Sequence, residues 1–440
     1  MEASNGAAVA QAESATDAGT VAALIEARQR TLALVASISE ADQERVHSTL
    51  MSPLVWDLGH IAAFEDLWLV HRYGARPLLR DGLAEIYDAF ETPRERRGDL
   101  DFLRPAEARE YLSEVRERSL SVLDERGLGD GIIPELVLRH EQQHNETMLQ
   151  TIQLAHLRDY RPIETTAALP SSDGHGGGLD LVEIPASPCT IGADSSGFAY
   201  DNERPRHRTD VRGYLIGRTP ITNASYLTFV EGGGYERREW WSAEGWAWKE
   251  DYDITRPQGW TADLRAEWRL HTLEPLHPNR PVVHISWFEA DAFARAHDLR
   301  LPTEIEWEKA ATWDQELGAA RRSPWGDGAP VPGVHANVDQ LACGPNPVDA
   351  CPDGASPYGC LGMLGDVWEW TATPFAGYPG FAPYPYREYS EVFFGSEYLT
   401  LRGGSWATRA RVATATFRNW DFPQRRQIFA GMRVAKDPAE

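Results

Sequence analysis

Apolar residues recur at helical spacing up to about residue 160 and lose that period afterwards. TVAALIEARQRTLALVASISEADQERV keeps its apolar side chains on one stripe and predicts a first helix. SPLVWDLGHIAAFEDLWLVHRYG predicts a second, with Ser52 as N-cap, Pro53 in the first turn and Gly74 as the stop. RPAEAREYLSEVRERSLSVLDERG predicts a third that closes at Gly127, and GIIPELVLRHEQQHNETMLQTIQLAHLRDY a long amphipathic fourth. Four helices with mostly short connections imply a four-helix bundle, which builds sites from inward-facing side chains. The link between the second and third helices carries an Arg cluster and is too long for a turn.

ALPSSDGHGGGLD then reads as a Pro/Ser/Gly linker. Beyond it, short β-like pieces (LVEIPASPCTIG, YLIGRTPIT, PVVHIS, LRGGSW, GMRVA) and helical patterns in NASYLTFVEGG, FEADAFARAHD and TEIEWEKAA sit between long Gly-, Pro-, Trp- and Tyr-rich loops. The expected organisation is a disordered tail at 1–18, a helical bundle at 19–165, a linker at 166–180 and a second domain at 181–440. The fold class is α followed by mixed α/β of low regular content.

Composition narrows the setting. Among 440 residues, Lys plus Arg number 43 against 66 Asp plus Glu, a formal charge of -23. So acidic a chain is a poor partner for nucleic acid without a local basic patch. No apolar run approaches the roughly 18 residues a membrane span requires, and the first residues lack the basic and apolar regions of a signal peptide. Four cysteines are too few for a disulfide scaffold. The expected location is therefore the cytoplasm. The 16 tryptophans, most in the second half, suit loops pinned by large aromatic anchors.

The sharpest chemical signal is His140-Glu141-Gln142-Gln143-His144 on the fourth helix. Residues i and i+4 share a helical face, so His140 and His144 can offer two ligands to one metal, and Leu136 and Met148 near that face turn it inward. Gln143 borders the same face, whereas Glu141 points elsewhere. On the second helix Trp56, His60 and Phe64 form an i, i+4, i+8 stripe, which makes His60 a third candidate ligand. Asp57 is an alternative, as in a two-histidine, one-carboxylate iron site. The string also matches the H-E-x-x-H helix of zinc peptidases, but position 150, where an extended motif wants histidine, is Gln150. Three neutral imidazoles leave the ion's charge uncompensated, which favours an anionic ligand such as a thiolate and leaves positions for O2.

The second domain carries PASPCTIGADS, NERPRHRTDVRGYLIGRTPITNASYLTFV, PVVHISWFEADAFARAHDLRLPTEIEWEKAA, WGDG, GMLGDVWEWT, LRGGSWAT and GMRVA in that order. This series resembles the formylglycine-generating-enzyme-like domain, a C-type-lectin-related fold, and the bundle with WDLGH and HEQQH resembles a DinB-like domain. Together the two halves resemble the ergothioneine-pathway sulfoxide synthases over nearly the whole chain. That resemblance implies Fe(2+)- and O2-dependent joining of a thiol sulfur to the imidazole C2 of hercynine (N-alpha-trimethylhistidine), giving a sulfoxide. It implies iron ligands at His60, His140 and His144, and hercynine contacts from Gln143, Tyr389, Asn419 and Trp420. Tyr386 matches the catalytic tyrosine, with Tyr384 close by in sequence. Arg94, Arg97 and Asp421 would hold gamma-glutamylcysteine, Arg being suited to carboxylates. GMLGDVWEWT reads as scaffold that could hold a structural Ca(2+). The copper-thiol chemistry of the formylglycine-generating enzymes is not expected, because SWATRARVATATFRNWD has no cysteine; Cys189, Cys343, Cys351 and Cys360 read as buried thiols. The competing readings are the same chemistry on free cysteine or histidine, a zinc hydrolase using HEQQH, and a non-catalytic lectin-like binding module.

Overall fold

The computed structural model describes residues 2–163 and 177–438, with side chains from residue 19 onward. Of the linker expected at 166–180, residues 166–176 lie outside these. The chain divides into two compact units, Met1–Ile163 and Glu164–Glu440.

The first unit is helical. Its long helices are Glu2–Val35, Leu54–Glu65 continued by a π-helical stretch Asp66–Tyr73, Pro105–Arg126 and Ile132–Ala155. The Leu54–Glu65 helix packs on the Pro105–Arg126 and Ile132–Ala155 helices, and Glu2–Val35 runs against Ile132–Ala155. Leu24, Leu58, Ile61, Leu112, Val115, Leu136 and Ile152 fill the space between them. Three sequence expectations change in detail. Helical backbone extends through residues read as a tail, a run rich in alanine, the strongest helix former. The first predicted helix is broken after Val35, where Ser39 Oγ accepts the Asp42 amide at 3.1 Å and caps a separate short helix, Glu40–Glu44. Pro53, not Ser52, is the N-cap of the second; Ser52 Oγ instead accepts a hydrogen bond from Arg97 at 2.8 Å.

The second unit is α/β with small sheets. Leu181–Ile184, Tyr214–Gly217 and Ala435–Lys436 form one sheet. Another has the order Asn419–Asp421, Leu399–Arg402, Trp368–Pro374, Ala430–Met432. Buried ion pairs join it to the Glu304–Thr312 helix: Arg402 reaches Glu308 at 2.5 Å and Arg418 reaches Glu304 at 2.7 Å. The LRGGS run turns here, since Gly403 has φ +97° and a Cβ on it would stand 2.9 Å from the Met363 carbonyl. PVVHIS is not a strand: it makes single ties, Val282 N to Ile221 O and Ile285 N to Ala430 O, and His284 adopts φ +62°. Cys189 and Cys360 are buried, whereas Cys343 and Cys351 are half-buried; all four are free thiols.

Candidate metal centre

His60 on one helix and His140 and His144 on another bring their ring nitrogens within 4.8 Å of one another. Among the described residues this is the group of His, Cys, Asp or Glu side chains that could hold a metal ion. The i, i+4 spacing puts the His140 and His144 ring centroids 4.5 Å apart, and His60 closes the triangle at 4.9 and 4.6 Å.

Each ring is held from behind. His60 Nδ1 donates to the Tyr87 carbonyl at 2.6 Å, and its face stacks on Trp56 at 4.9 Å. His144 Nδ1 faces Asp57 Oδ1 at 3.0 Å. His140 stacks on Phe64 with centroids 3.6 Å apart. A carbonyl and a carboxylate only accept, so both Nδ1 atoms carry a proton and Nε2 is the nitrogen each ring turns towards the centre. His60 Nε2 lies 3.1 Å from His140 Nε2. Two nitrogens bound to one cation at about 2.1 Å and a right angle stand roughly 3 Å apart, so the donor set fits a divalent transition metal. Burial first, then His144 and Arg97, push His60 well below the usual imidazole range, against the pull of the Tyr87 carbonyl. Burial, His144 and His60 do the same to His140. Both rings are neutral at pH 7, the state a ligand needs.

The WDLGH string has a physical reading. Trp56 supports the His60 ring and donates Nε1 to the Ile86 carbonyl at 3.3 Å, and Asp57 orients His144. Gly59 leaves room for Tyr87, whose ring atoms would lie 2.1 Å from a Cβ there. Asp57 thus stands behind a histidine, not among the three converging ligand atoms. Tyr87 carries no periodic signal in the long link, and the sequence reading missed it.

Glu141 faces the other way. Its Oε1 accepts from Arg28 Nε and Thr31 Oγ1, both at 2.8 Å, and its Oε2 from Arg116 at 2.6 Å. Glu65 shares Arg28 and Arg116 at 2.7 Å each. Burial raises the Glu65 carboxyl, but Arg116 and Arg28 outweigh it and hold it at about 2. With both oxygens committed, Glu141 is not placed to serve as the general base of a zinc peptidase.

The other candidates fall in two places. In the first unit, Gln143 lies half-buried between the two histidines of its helix. Arg97 is buried, donates to Thr92 O, Ser52 Oγ and Ala89 O, and lies over Trp56 at 3.7 Å. Burial and Arg94 lower its guanidinium to about 9. Arg94 is less buried and makes a long 3.4 Å bond to the Leu50 carbonyl. In the second unit, Tyr386 and Tyr389 approach edge to face at 6.1 Å, Tyr389 meets Trp420 at 5.9 Å, and Trp420 stacks on Phe375 at 4.2 Å. Asn419, Trp420 and Asp421 form an edge strand paired with Leu399–Leu401. Asp421 accepts from Gln427 at 3.2 Å and lies 3.6 Å from Arg425. Tyr384 is 44% exposed, in contrast to its half-buried neighbours Tyr386 and Tyr389.

Comparison with known proteins agrees with this division. The Sulfatase-modifying factor enzyme 1-like domain family matches residues 166–438, and the DinB superfamily matches residues 23–148. The chain is 45% identical to a hercynine oxygenase of Mycolicibacterium thermoresistibile, covering 94% of each chain. It is 44% identical to that of Mycolicibacterium smegmatis, over 93% of this chain and 97% of the relative. Against that of Mycobacterium tuberculosis the identity is 43%, over 94% and 97%.

Proposed function

The chain belongs to the hercynine oxygenase family, and from that premise we propose that it is a cytoplasmic, iron(II)-dependent sulfoxide synthase that joins the sulfur of gamma-glutamylcysteine to C2 of hercynine. The reaction balances as thiol plus imidazole C2–H plus O2 giving sulfoxide plus water: sulfur and C2 give up four electrons, and O2 takes them. The observation that supports it best is the trio of imidazoles His60, His140 and His144, whose converging ring nitrogens fit a cation.

Iron(II) held there supplies the binding site for thiolate and O2 and the redox chemistry. Asp57 keeps the His144 ring oriented, and Trp56 and Phe64 fix the planes of the other two. Trp420 and Tyr389 offer aromatic faces to the trimethylammonium group, with Asn419 and Gln143 as polar contacts. The Tyr386 phenol donates a proton during coupling. Asp421 receives the ammonium of the glutamyl group, and Arg94 with Arg97 the carboxylates of gamma-glutamylcysteine.

The test is anaerobic loading of the purified protein with iron(II), then mass spectrometry after O2 is admitted to hercynine and each of several thiols. The expected product is the gamma-glutamyl sulfoxide, formed with O2 uptake. Preference for free cysteine would correct the substrate, and full activity with zinc under argon would sink the oxygenase mechanism.

A further inference from the structure

We propose that Asp201 is a positioning residue for Tyr386: its carboxylate ties down both flanks of the loop that carries the tyrosine. The inference rests on the role given above to Tyr386. Asp201 is only 4% exposed. Its Oδ1 accepts the Ser390 hydroxyl at 2.6 Å, and its Oδ2 accepts the Tyr384 amide at 3.4 Å. Tyr386 lies between those two donors in sequence, so one buried side chain sets where its loop leaves and returns.

The anchor is itself rigid. Asp201 opens the short turn Asp201–Glu203, in which Glu203 accepts the Tyr200 amide at 2.8 Å and the Thr416 hydroxyl at 2.5 Å. Arg418 donates to the Asn202 carbonyl at 2.7 Å and is locked on Glu304. Arg418 directly precedes Asn419, so the turn also abuts the strand of Asn419–Asp421. Tyr200, next to Asp201, stacks flat on Tyr389 at 4.3 Å. The turn therefore registers the tyrosine loop against the proposed hercynine strand. Burial and then Glu203 act against ionisation and leave the Asp201 carboxyl at about 6, against its hydrogen bonds, so it is an acceptor at about pH 8.

The test compares Asp201→Asn, Ser390→Ala and Tyr386→Phe in the iron-loaded full chain at about pH 8. For each, the ratio of coupled sulfoxide to thiol sulfinate (thiol plus O2 with no C–S bond formed) is measured, with kcat, the KM for hercynine, iron content and Tm. Asp201→Asn turns an acceptor into an amide and should lower the coupling kcat at least about tenfold, shifting product towards sulfinate as Tyr386→Phe does. Ser390→Ala, a milder change, should move the ratio the same way and keeps the test open if Asp201→Asn folds poorly. Iron content should stay within about twofold. A wild-type ratio in Asp201→Asn and Ser390→Ala, with an altered one in Tyr386→Phe, overturns the anchor. A wild-type ratio in Tyr386→Phe itself overturns the role of that tyrosine, and the anchor with it.

Discussion

Asp57 and His144 form a carboxylate–imidazole pair, Oδ1 to Nδ1 at 3.0 Å, in which Asp57 has no exposed surface and its second oxygen no partner among the described residues. A buried anion is costly unless something compensates it. A cation on the other side of the His144 ring does so, and the carboxylate in turn makes the imidazole a better ligand. Asp57→Asn keeps the shape and removes the charge. The expected result is an iron(II) dissociation constant about 10–100-fold higher, with the helices intact by circular dichroism. Anaerobic calorimetry measures it, and an unchanged constant would mean that Asp57 does not support the ligand.

The four-residue ion cluster beside the centre serves the bundle. Glu65, Glu141, Arg28 and Arg116 all have side chains no more than 7% exposed. Glu65→Gln leaves guanidinium charge uncompensated and should cost about 3–5 kcal/mol of stability, seen as a lower denaturant midpoint. The sign of the pH dependence follows from the depressed carboxyl. Folded Glu65 ionises at about 2, below its ordinary 4.5, so its stabilisation is complete above 4.5 and is lost as pH falls towards 2. An acid titration of unfolding should therefore show a shallower slope over that window in Glu65→Gln than in the wild type.

Gly59 couples the long link to the metal helix. A Cβ there would sit 2.1 Å from the Tyr87 ring, and Tyr87 supplies the carbonyl that holds His60 Nδ1. Gly59→Ala must push Tyr87 away, an overpacking cost of about 1–3 kcal/mol. It should weaken iron binding as well, because His60 loses the acceptor that fixes its tautomer. Loss of stability with unchanged iron affinity would show that the ring keeps its place without Tyr87.

These relationships differ in how much of them the sequence displays. Helical periodicity places His140 and His144 on one face and Glu141 on another, because a helix converts spacing directly into direction. The same rule finds His60 through its stripe with Trp56 and Phe64. It stops at Tyr87 and Asp201, which act from irregular segments whose positions depend on distant packing. It also leaves Asp57 ambiguous between ligand and support, since only the rotation of the His144 ring decides that. PVVHIS reads as a strand by composition, yet the left-handed backbone at His284 interrupts it.

Arg94 and Arg97 look alike in TPRERRGD and separate in the structure. Arg97 spends three donors on Thr92, Ser52 and Ala89 and lies over Trp56, which backs His60. Arg97→Ala should lower Tm and iron affinity together, in addition to any effect on the thiol. Among the described residues Arg94 makes just the long bond to Leu50, so Arg94→Ala should leave Tm within about a degree or two. If Arg94 binds the glutamyl carboxylate, its loss should raise the KM for gamma-glutamylcysteine and spare that for cysteine. Equal Tm losses in the two variants would deny the distinction.

Asp421 offers the sharpest handle on thiol choice. Gamma-glutamylcysteine differs from cysteine by a glutamyl group whose ammonium needs an anion. Asp421 is half-buried on an edge strand, next to the proposed hercynine contacts Asn419 and Trp420. Its carboxylate is shared with Gln427 at 3.2 Å and Arg425 at 3.6 Å. The Arg425 contact is long, and a substrate ammonium can compete for the same oxygen. Removing one partner of a desolvated charge pair costs about 2–5 kcal/mol. Asp421→Asn should therefore cut kcat/KM for gamma-glutamylcysteine by roughly 30-fold or more, with little change for cysteine or in hercynine affinity. Arg425→Ala frees the carboxylate from its neighbour and should hold or raise kcat/KM for gamma-glutamylcysteine. The two variants thus move in opposite directions if Asp421 meets the ammonium. If both lower kcat/KM equally for the two thiols, the Asp421–Arg425 pair only shapes the strand, and the preference is set elsewhere.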